Sequence, residues 1–410
     1  MKALIFGAGR QAKGIAWYLA NHTDFEEIGI LSRSPGPIDD IIEFVGSDKL
    51  KKYVVNVLDP EKVKKVMEEY DVGINALPTR QTSYKTIDSA ADVGLNMIDI
   101  LEEYHRRPDA YETEDLEVPE GMTVNDYGEY IHEKYKEKQI MLLDGIGFAP
   151  GITNFTLGEG LREMDKTKTA IARCGGIPNE ESAERHPLRY MITWAFDHVL
   201  REYNVKSNAL KDGELKEMEA LSEHENFKFN KFGKDVELEC AVTPGMPSFV
   251  YTRSDLENTY EKTIRWPGHY DTIKEFKKCG MLDTEPIDMN GIKVVPREVL
   301  LNVITPRLKP KEGDRDVCVM WNTAEGKIDG EDVSIDYYMW DEEDVKTGLT
   351  AMQRTTCFPP AIAAEMMAKG EITGKGIIPP EDCIKGPTYD RMIKRLEKVG
   401  VEILKDITYT

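Results

Sequence analysis

LIFGAGRQAKG, residues 4–14, decides how the first third of the chain is read. Leu4, Ile5 and Phe6 form an apolar run of the length a buried parallel strand needs. Gly7, Gly9 and Ala12 then fill the pattern G-x-G-x-x-G/A. The first position allows a tight turn. The second lets the backbone approach a pyrophosphate with no Cβ in between, and the third packs helix on strand. Residues 12–21 place Ile15, Ala16 and Leu19 on one face, which predicts a helix whose free N–H groups would face the phosphates. Arg10 and Gln11 fall inside the turn and are candidates for the same contact. Between a strand and a helix, at the head of a βαβ unit, the pattern points to a dinucleotide site.

The reading extends outward from there. Apolar runs at 28–31, 53–58, 72–76, 96–100 and 140–143 predict further strands. Helices are expected from Asp59-Pro60 to Tyr70 and over 83–93, with Gly94 as the stop. The alternation implies an α/β chain with an N-terminal Rossmann domain, a doubly wound parallel sheet covered on both faces. Residues 102–125 are polar and read as an inserted loop. From about residue 167 the runs at 171–174, 236–240, 317–321 and 333–338 resemble strands without regular helices between them. That predicts a second domain with a mixed or antiparallel sheet. Residues 359–369 and 389–400 close the chain as helices.

The second strand ends in Ser32-Arg33-Ser34. An NAD site usually has an acid here for the ribose hydroxyls. A hydroxyl and a guanidinium would instead bind a 2′-phosphate, so the expected cofactor is NADP, with NAD possible.

Composition narrows the partners. The formal net charge is −21, which argues against nucleic acid and anionic membrane surfaces. The six cysteines are scattered, with no CxxC and no Cys/His cluster, so neither a metal site nor a disulfide framework is expected. No apolar run approaches the roughly 20 residues of a membrane span. A cytoplasmic location is the simple expectation.

Several further stretches match one family in order. They are Asn75-Ala76-Leu77-Pro78, Gly147-Phe148-Ala149-Pro150-Gly151 with Thr153-Asn154 after it, Cys174-Gly175-Gly176-Ile177-Pro178, His186-Pro187-Leu188-Arg189-Tyr190 leading to Trp194, Arg265-Trp266-Pro267-Gly268-His269, and Thr350-Ala351-Met352-Gln353-Arg354. On these the chain resembles the saccharopine dehydrogenase-like oxidoreductases over nearly its whole length. The resemblance implies a nicotinamide-dependent enzyme that makes or reduces a C=N bond on a small amine or amino acid, and a homodimer. It implies a Rossmann domain over 1–150, a catalytic and dimerisation domain over 151–345, and a C-terminal segment, 346–410, returning to the first domain.

The resemblance also nominates residues. Ala76, Leu77, Pro78, Asp99, Gly147, Phe148 and Pro150 join the cofactor group. His269 is the candidate acid/base, because an imidazole titrates near neutral pH. Arg265 is the candidate carboxylate anchor, Trp194 a ring face for a cationic amine, Asn154 a substrate or carboxamide contact, and Glu102 an ammonium anchor at the strand end. Ala149 is similar to the lysine 6-dehydrogenases, where saccharopine reductases carry an acid. The expected reaction is therefore lysine 6-dehydrogenase-like oxidative deamination with NADP through an imine. The alternative is NADPH-dependent condensation of an amine with an aldehyde, as in saccharopine reductase or carboxynorspermidine dehydrogenase. That reaction needs more carboxylate-binding groups, and Arg189, where relatives usually have Gly, could be one. A third reading is a non-catalytic NADP-binding regulator.

Overall fold

The computed structural model describes residues 1–109 and 116–409. Residues 110–115 of the expected inserted loop lie outside the described residues. The chain divides into two compact units. The first comprises Met1–Glu159, Met246–Thr252 and Gln353–Val401; the second comprises Gly160–Gly245, Arg253–Met352 and Glu402–Thr410.

The first unit is built on seven parallel strands. In chain order the first six are β1 (Lys2–Phe6), β2 (Glu27–Ser32), β3 (Leu50–Val54), β4 (Val72–Asn75), β5 (Asn96–Asp99) and β6 (Met141–Leu143). Their spatial order is β6-β5-β4-β1-β2-β3, and the short strand Gly376–Ile378 from the C-terminal segment adds beside β6. The central strands are buried throughout, as apolar runs with helices on both faces require.

Two local expectations shift. The third strand is Leu50–Val54, not 53–58. It is the edge strand and carries two lysines: Lys51 pairs with Glu69 and Lys52 with Asp39. The late helix begins at Ala351, eight residues before the expected start at 359, and carries Pro359 and Pro360 inside it. Asp316 explains the early start. Its carboxylate accepts the backbone N–H of Ala351 at 2.7 Å and of Met352 at 3.0 Å, capping the first turn from 35 residues upstream.

The second unit holds a nine-stranded mixed sheet. Asn258–Arg265 and Lys166–Pro178 pair in parallel at its centre. Val236–Val242 flanks the first of these and Asp316–Ile328 the second, both antiparallel, and Glu331–Glu342 and Leu404–Tyr409 continue the far side. The predicted strand runs at 171–174, 236–240, 317–321 and 333–338 all lie in this sheet. Among the described residues no helix is long and apolar enough to cross a membrane.

Candidate active site

The glycine turn sits at the carboxyl ends of β1, β2 and β4. Gly7 donates its N–H to Leu31 and has φ +107. A Cβ there would lie 2.6 Å from the Ala76 carbonyl oxygen, so only glycine fits. At Gly9 a Cβ would meet nothing within 4 Å. Gly9 is also the N-cap of the helix Arg10–His22, and no side chain caps it. The first turn therefore has no side-chain cap, and a glycine precedes it. Ala12 is fully buried, as the third position of the pattern requires. Ser32 ends β2 and is half-buried. Arg33 follows it, exposed, and makes no hydrogen bond or ion pair among the described residues. These groups fit a 2′-phosphorylated dinucleotide.

Other nominated cofactor residues are placed differently. Arg10 is exposed, but the Gln11 amide oxygen accepts from Cys357 Sγ at 2.9 Å, which ties it to the helix Ala351–Ala368. Leu77 is buried and Pro78 exposed just past β4. Asp99 is fully buried: it accepts from Leu101 N, Asn75 Nδ2 and Ser83 Oγ, each at 2.7 Å. Its carboxylate shapes the strand end. Gly147, Phe148 and Pro150 form a closed turn in which Gly147 N donates to Pro150 O at 2.8 Å and Ile152 N to Gly147 O at 3.0 Å. Phe148 is buried.

Asn154 is fully buried too. Its Oδ1 accepts from Gly151 N at 3.0 Å, and its Nδ2 donates to Ser248 Oγ and Glu381 Oε2 at 3.2 and 3.1 Å. Ser248 and Thr252 both donate to Glu381 Oε1 at 2.7 Å. These bonds lie within the first unit, and through Gly151 N the Asn154 amide orders the glycine-proline turn. Glu102 is half-buried in the turn after β5, where Arg80 donates to its backbone carbonyl at 2.7 Å.

A buried network lies beside it. His105, fully buried, meets Asp144 Oδ1 through Nδ1 at 2.6 Å and Ser83 Oγ through Nε2 at 3.3 Å. Burial pulls the His105 imidazolium down. The Asp144 carboxylate, with Asp99 and Glu103 behind it, outweighs that and lifts it to about 9.

Trp194, Arg265 and His269 belong to the second unit. Arg265 and His269 meet through one hydroxyl. Tyr203 Oη accepts from Arg265 Nε at 2.9 Å and lies 3.0 Å from His269 Nε2, while His269 Nδ1 is 3.0 Å from the Leu188 carbonyl. Burial, helped by the Arg265 charge, pushes His269 down to about 3. In the ligand-free chain His269 is therefore neutral near pH 7. The Arg265 guanidinium is 2% exposed and packs over the Tyr190 ring at 5.0 Å. It has no acidic partner among the described residues. The Tyr190 hydroxyl beside it is buried without a hydrogen-bond partner. Arg189, half-exposed, lies over Trp266 and likewise pairs with no acid. Trp194 is half-buried, its ring 5.3 Å from that of His198.

The two histidines set opposite arms of the stability profile. His105 is raised, so its contribution is full below about 6.5 and lost as pH rises through about 9. His269 is depressed, so its contribution is full above about 6.5 and lost as pH falls toward about 3. Imidazole ¹⁵N spectra should show His105 charged and His269 neutral at pH 7.5. The opposite assignment for either would show that its environment is misread.

Sequence reasoning missed His105, Asp144, Tyr203 and Glu381. Asp144 alone left a signal: it stands directly after a predicted strand, at the edge where doubly wound sheets bind ligands.

The comparisons agree with this architecture. Residues 3–143 match the saccharopine dehydrogenase NADP binding domain, and residues 147–401 match the saccharopine dehydrogenase C-terminal domain. The chain belongs to the saccharopine dehydrogenase family, and its N-terminal domain is an NADP-binding domain of an oxidoreductase acting on amine-bearing substrates. It is 22% identical over 407 residues to a carboxyaminopropylagmatine dehydrogenase of Synechocystis sp., covering 94% of each chain. It is 22% identical over 315 residues to the saccharopine dehydrogenase [NADP(+), L-glutamate-forming] of Saccharomyces cerevisiae, covering 75% of this chain and 65% of that one. The apo structure of the L-Glu-forming yeast saccharopine dehydrogenase superposes with a TM-score of 0.78 at 18% identity, covering 99% of both chains.

Proposed function

We propose that this protein is an NADP-dependent dehydrogenase of a carboxylate-bearing secondary amine, formed by reductive condensation of an amine with an aldehyde. One observation carries the choice over simple deamination. Arg265 is a buried guanidinium without an acidic partner among the described residues, a costly state that an anionic ligand relieves. Arg189, half-exposed over Trp266, is a second arginine with no acidic partner among the described residues. Two arginines awaiting carboxylates suit a substrate assembled from two acids or from an acid and an amine. The names of the Synechocystis and yeast relatives describe substrates of that kind.

The cofactor, when bound, supplies the hydride. Gly7, Gly9 and the first turn of Arg10–His22 hold its phosphates, and Ser32 and Arg33 its 2′-phosphate. Arg265 binds a substrate carboxylate bidentately, backed by Tyr203 and the neutral His269, which orient the guanidinium. Glu102 holds the ammonium of the amine partner. Asn154 keeps the 147–151 turn in shape. Ala149 supports a second reading, deamination of lysine, because its relatives by that residue are the lysine 6-dehydrogenases.

Absorbance at 340 nm separates the two. L-lysine or agmatine with NADP should be silent. Oxidation of NADPH should require an amine and an amino-acid semialdehyde together. Reduction of NADP by lysine alone, with ammonia released, would instead establish deamination.

A further inference from the structure

We infer that His105 is a positioning residue: clamped by Asp144 across the carboxyl ends of β5 and β6, it fixes the 101–105 turn and thereby the direction in which Glu102 presents its carboxylate. This rests on the reading of Glu102 as the ammonium anchor.

The clamp is double. Asp144 Oδ2 accepts the His105 backbone N–H at 2.9 Å, and Oδ1 takes its ring Nδ1 at 2.6 Å. A single carboxylate thus fixes both the chain and the ring. The other end of the turn is held by Asp99, which accepts from Leu101 N at 2.7 Å and lies 3.7 Å from His105 Nε2. The middle is held by Arg80, through Glu102 O at 2.7 Å and Glu103 Oε2 at 3.0 Å. Glu102 is the acidic residue of this turn that stays half-exposed, whereas Glu103 next to it is buried.

The packing around His105 is equally specific. Gly128 lies inside the helix Val124–Glu137, where glycine is unfavourable. A Cβ there would fall 1.8 Å from the His105 carbonyl oxygen. The helix accepts glycine so that the turn can pass this close. Tyr84 covers the ring at 4.5 Å between centroids. The charged groups facing His105 are Asp144, Asp99 and Glu103, and Arg80 balances the last. With its raised affinity for a proton, His105 is the cation that lets Asp99 and Asp144 lie buried side by side.

The test uses the full chain loaded with NADP(H), and L-lysine and agmatine as probe amines with an amino-acid semialdehyde. His105→Gln removes the donor at the Nδ1 position; His105→Asn keeps a donor there. His105→Gln should raise the amine KM at least tenfold, with kcat within threefold and NADPH Kd within twofold, and His105→Asn should restore most of the loss. In a Glu102→Gln background the same change should add less than twofold, because the effect passes through Glu102. An equal loss in both backgrounds, or a matching loss of NADPH affinity, would overturn the inference. Hydrogen exchange over residues 101–109 needs no substrate. It should accelerate in His105→Gln and stay slow in His105→Asn, and unchanged exchange would overturn the inference. Wild-type silence with every amine, alongside that exchange pattern, would count against the proposed reaction and not against the clamp.

Discussion

Replacing Arg33 with alanine is expected to weaken NADPH binding roughly ten- to hundredfold while NADH binding stays within about twofold. Arg33 is exposed just past the end of β2 and makes no hydrogen bond or ion pair among the described residues. Its donors are therefore available to a phosphate. Hydrogen bonds to charged groups contribute about 1.5–3 kcal/mol, and about 1.4 kcal/mol is tenfold in affinity. NADH lacks the 2′-phosphate and so loses nothing. Fluorescence titration of the two reduced cofactors against wild type and variant reads the difference directly. Equal losses for both would show that Arg33 acts on the turn as a whole and not on the extra phosphate.

The second large effect is on stability. Gly151→Ala should lower the free energy of unfolding by about 3 kcal/mol or more, a fall of roughly 6–12 °C in the thermal transition. Gly151 has φ +132, and a Cβ would lie 2.1 Å from the Gly147 carbonyl oxygen and 2.3 Å from its nitrogen. Both obstacles are backbone, so no side-chain rotation relieves them. Opening the turn would break the hydrogen bonds from Gly147 N to Pro150 O and from Ile152 N to Gly147 O. Gly9→Ala is the matched control. Its methyl meets nothing within 4 Å, so its thermal transition should match that of the wild type. Scanning calorimetry of both variants decides, and an unshifted Gly151→Ala would mean that the turn adapts at little cost.

The parts of the fold that repeat a local pattern were legible in the sequence. β1, the glycine turn and the helix after it follow from one short stretch, because strand, turn and helix each leave a signature within a few residues. Long-range contacts leave none. The cap on Ala351–Ala368 comes from Asp316, so the helix start at Ala351 has no neighbouring signal. The edge strand Leu50–Val54 is pinned by pairing with β2, while the apolar run beyond it favoured a later placement. The helix Val124–Glu137 did leave a signal, the capping box of Thr123 and Asp126, just inside the stretch read as a loop.

The candidate site follows the same division. Gly7, Gly9, Ser32 and Arg33 are legible because their pattern is local. The low proton affinity of His269 is not legible in sequence, because it arises from burial and from Arg265 rather than from the residue's immediate neighbours. The hydrogen-bond partners of Asn154 and Asp99, namely Glu381, Ser248, Ser83 and Asn75, lie in other segments and leave no local signal. His105 and Asp144 are 39 positions apart, and only the fold brings them together.

The most direct test of the central claim follows the hydride itself. NADPH carrying deuterium at C4, in each of its two stereoisomers, would be turned over with agmatine or L-lysine and an amino-acid semialdehyde, and the product examined by mass spectrometry. The account predicts one deuterium on the carbon bonded to the new secondary nitrogen, delivered from only one stereoisomer. Cofactor binding without label in any secondary amine would contradict it.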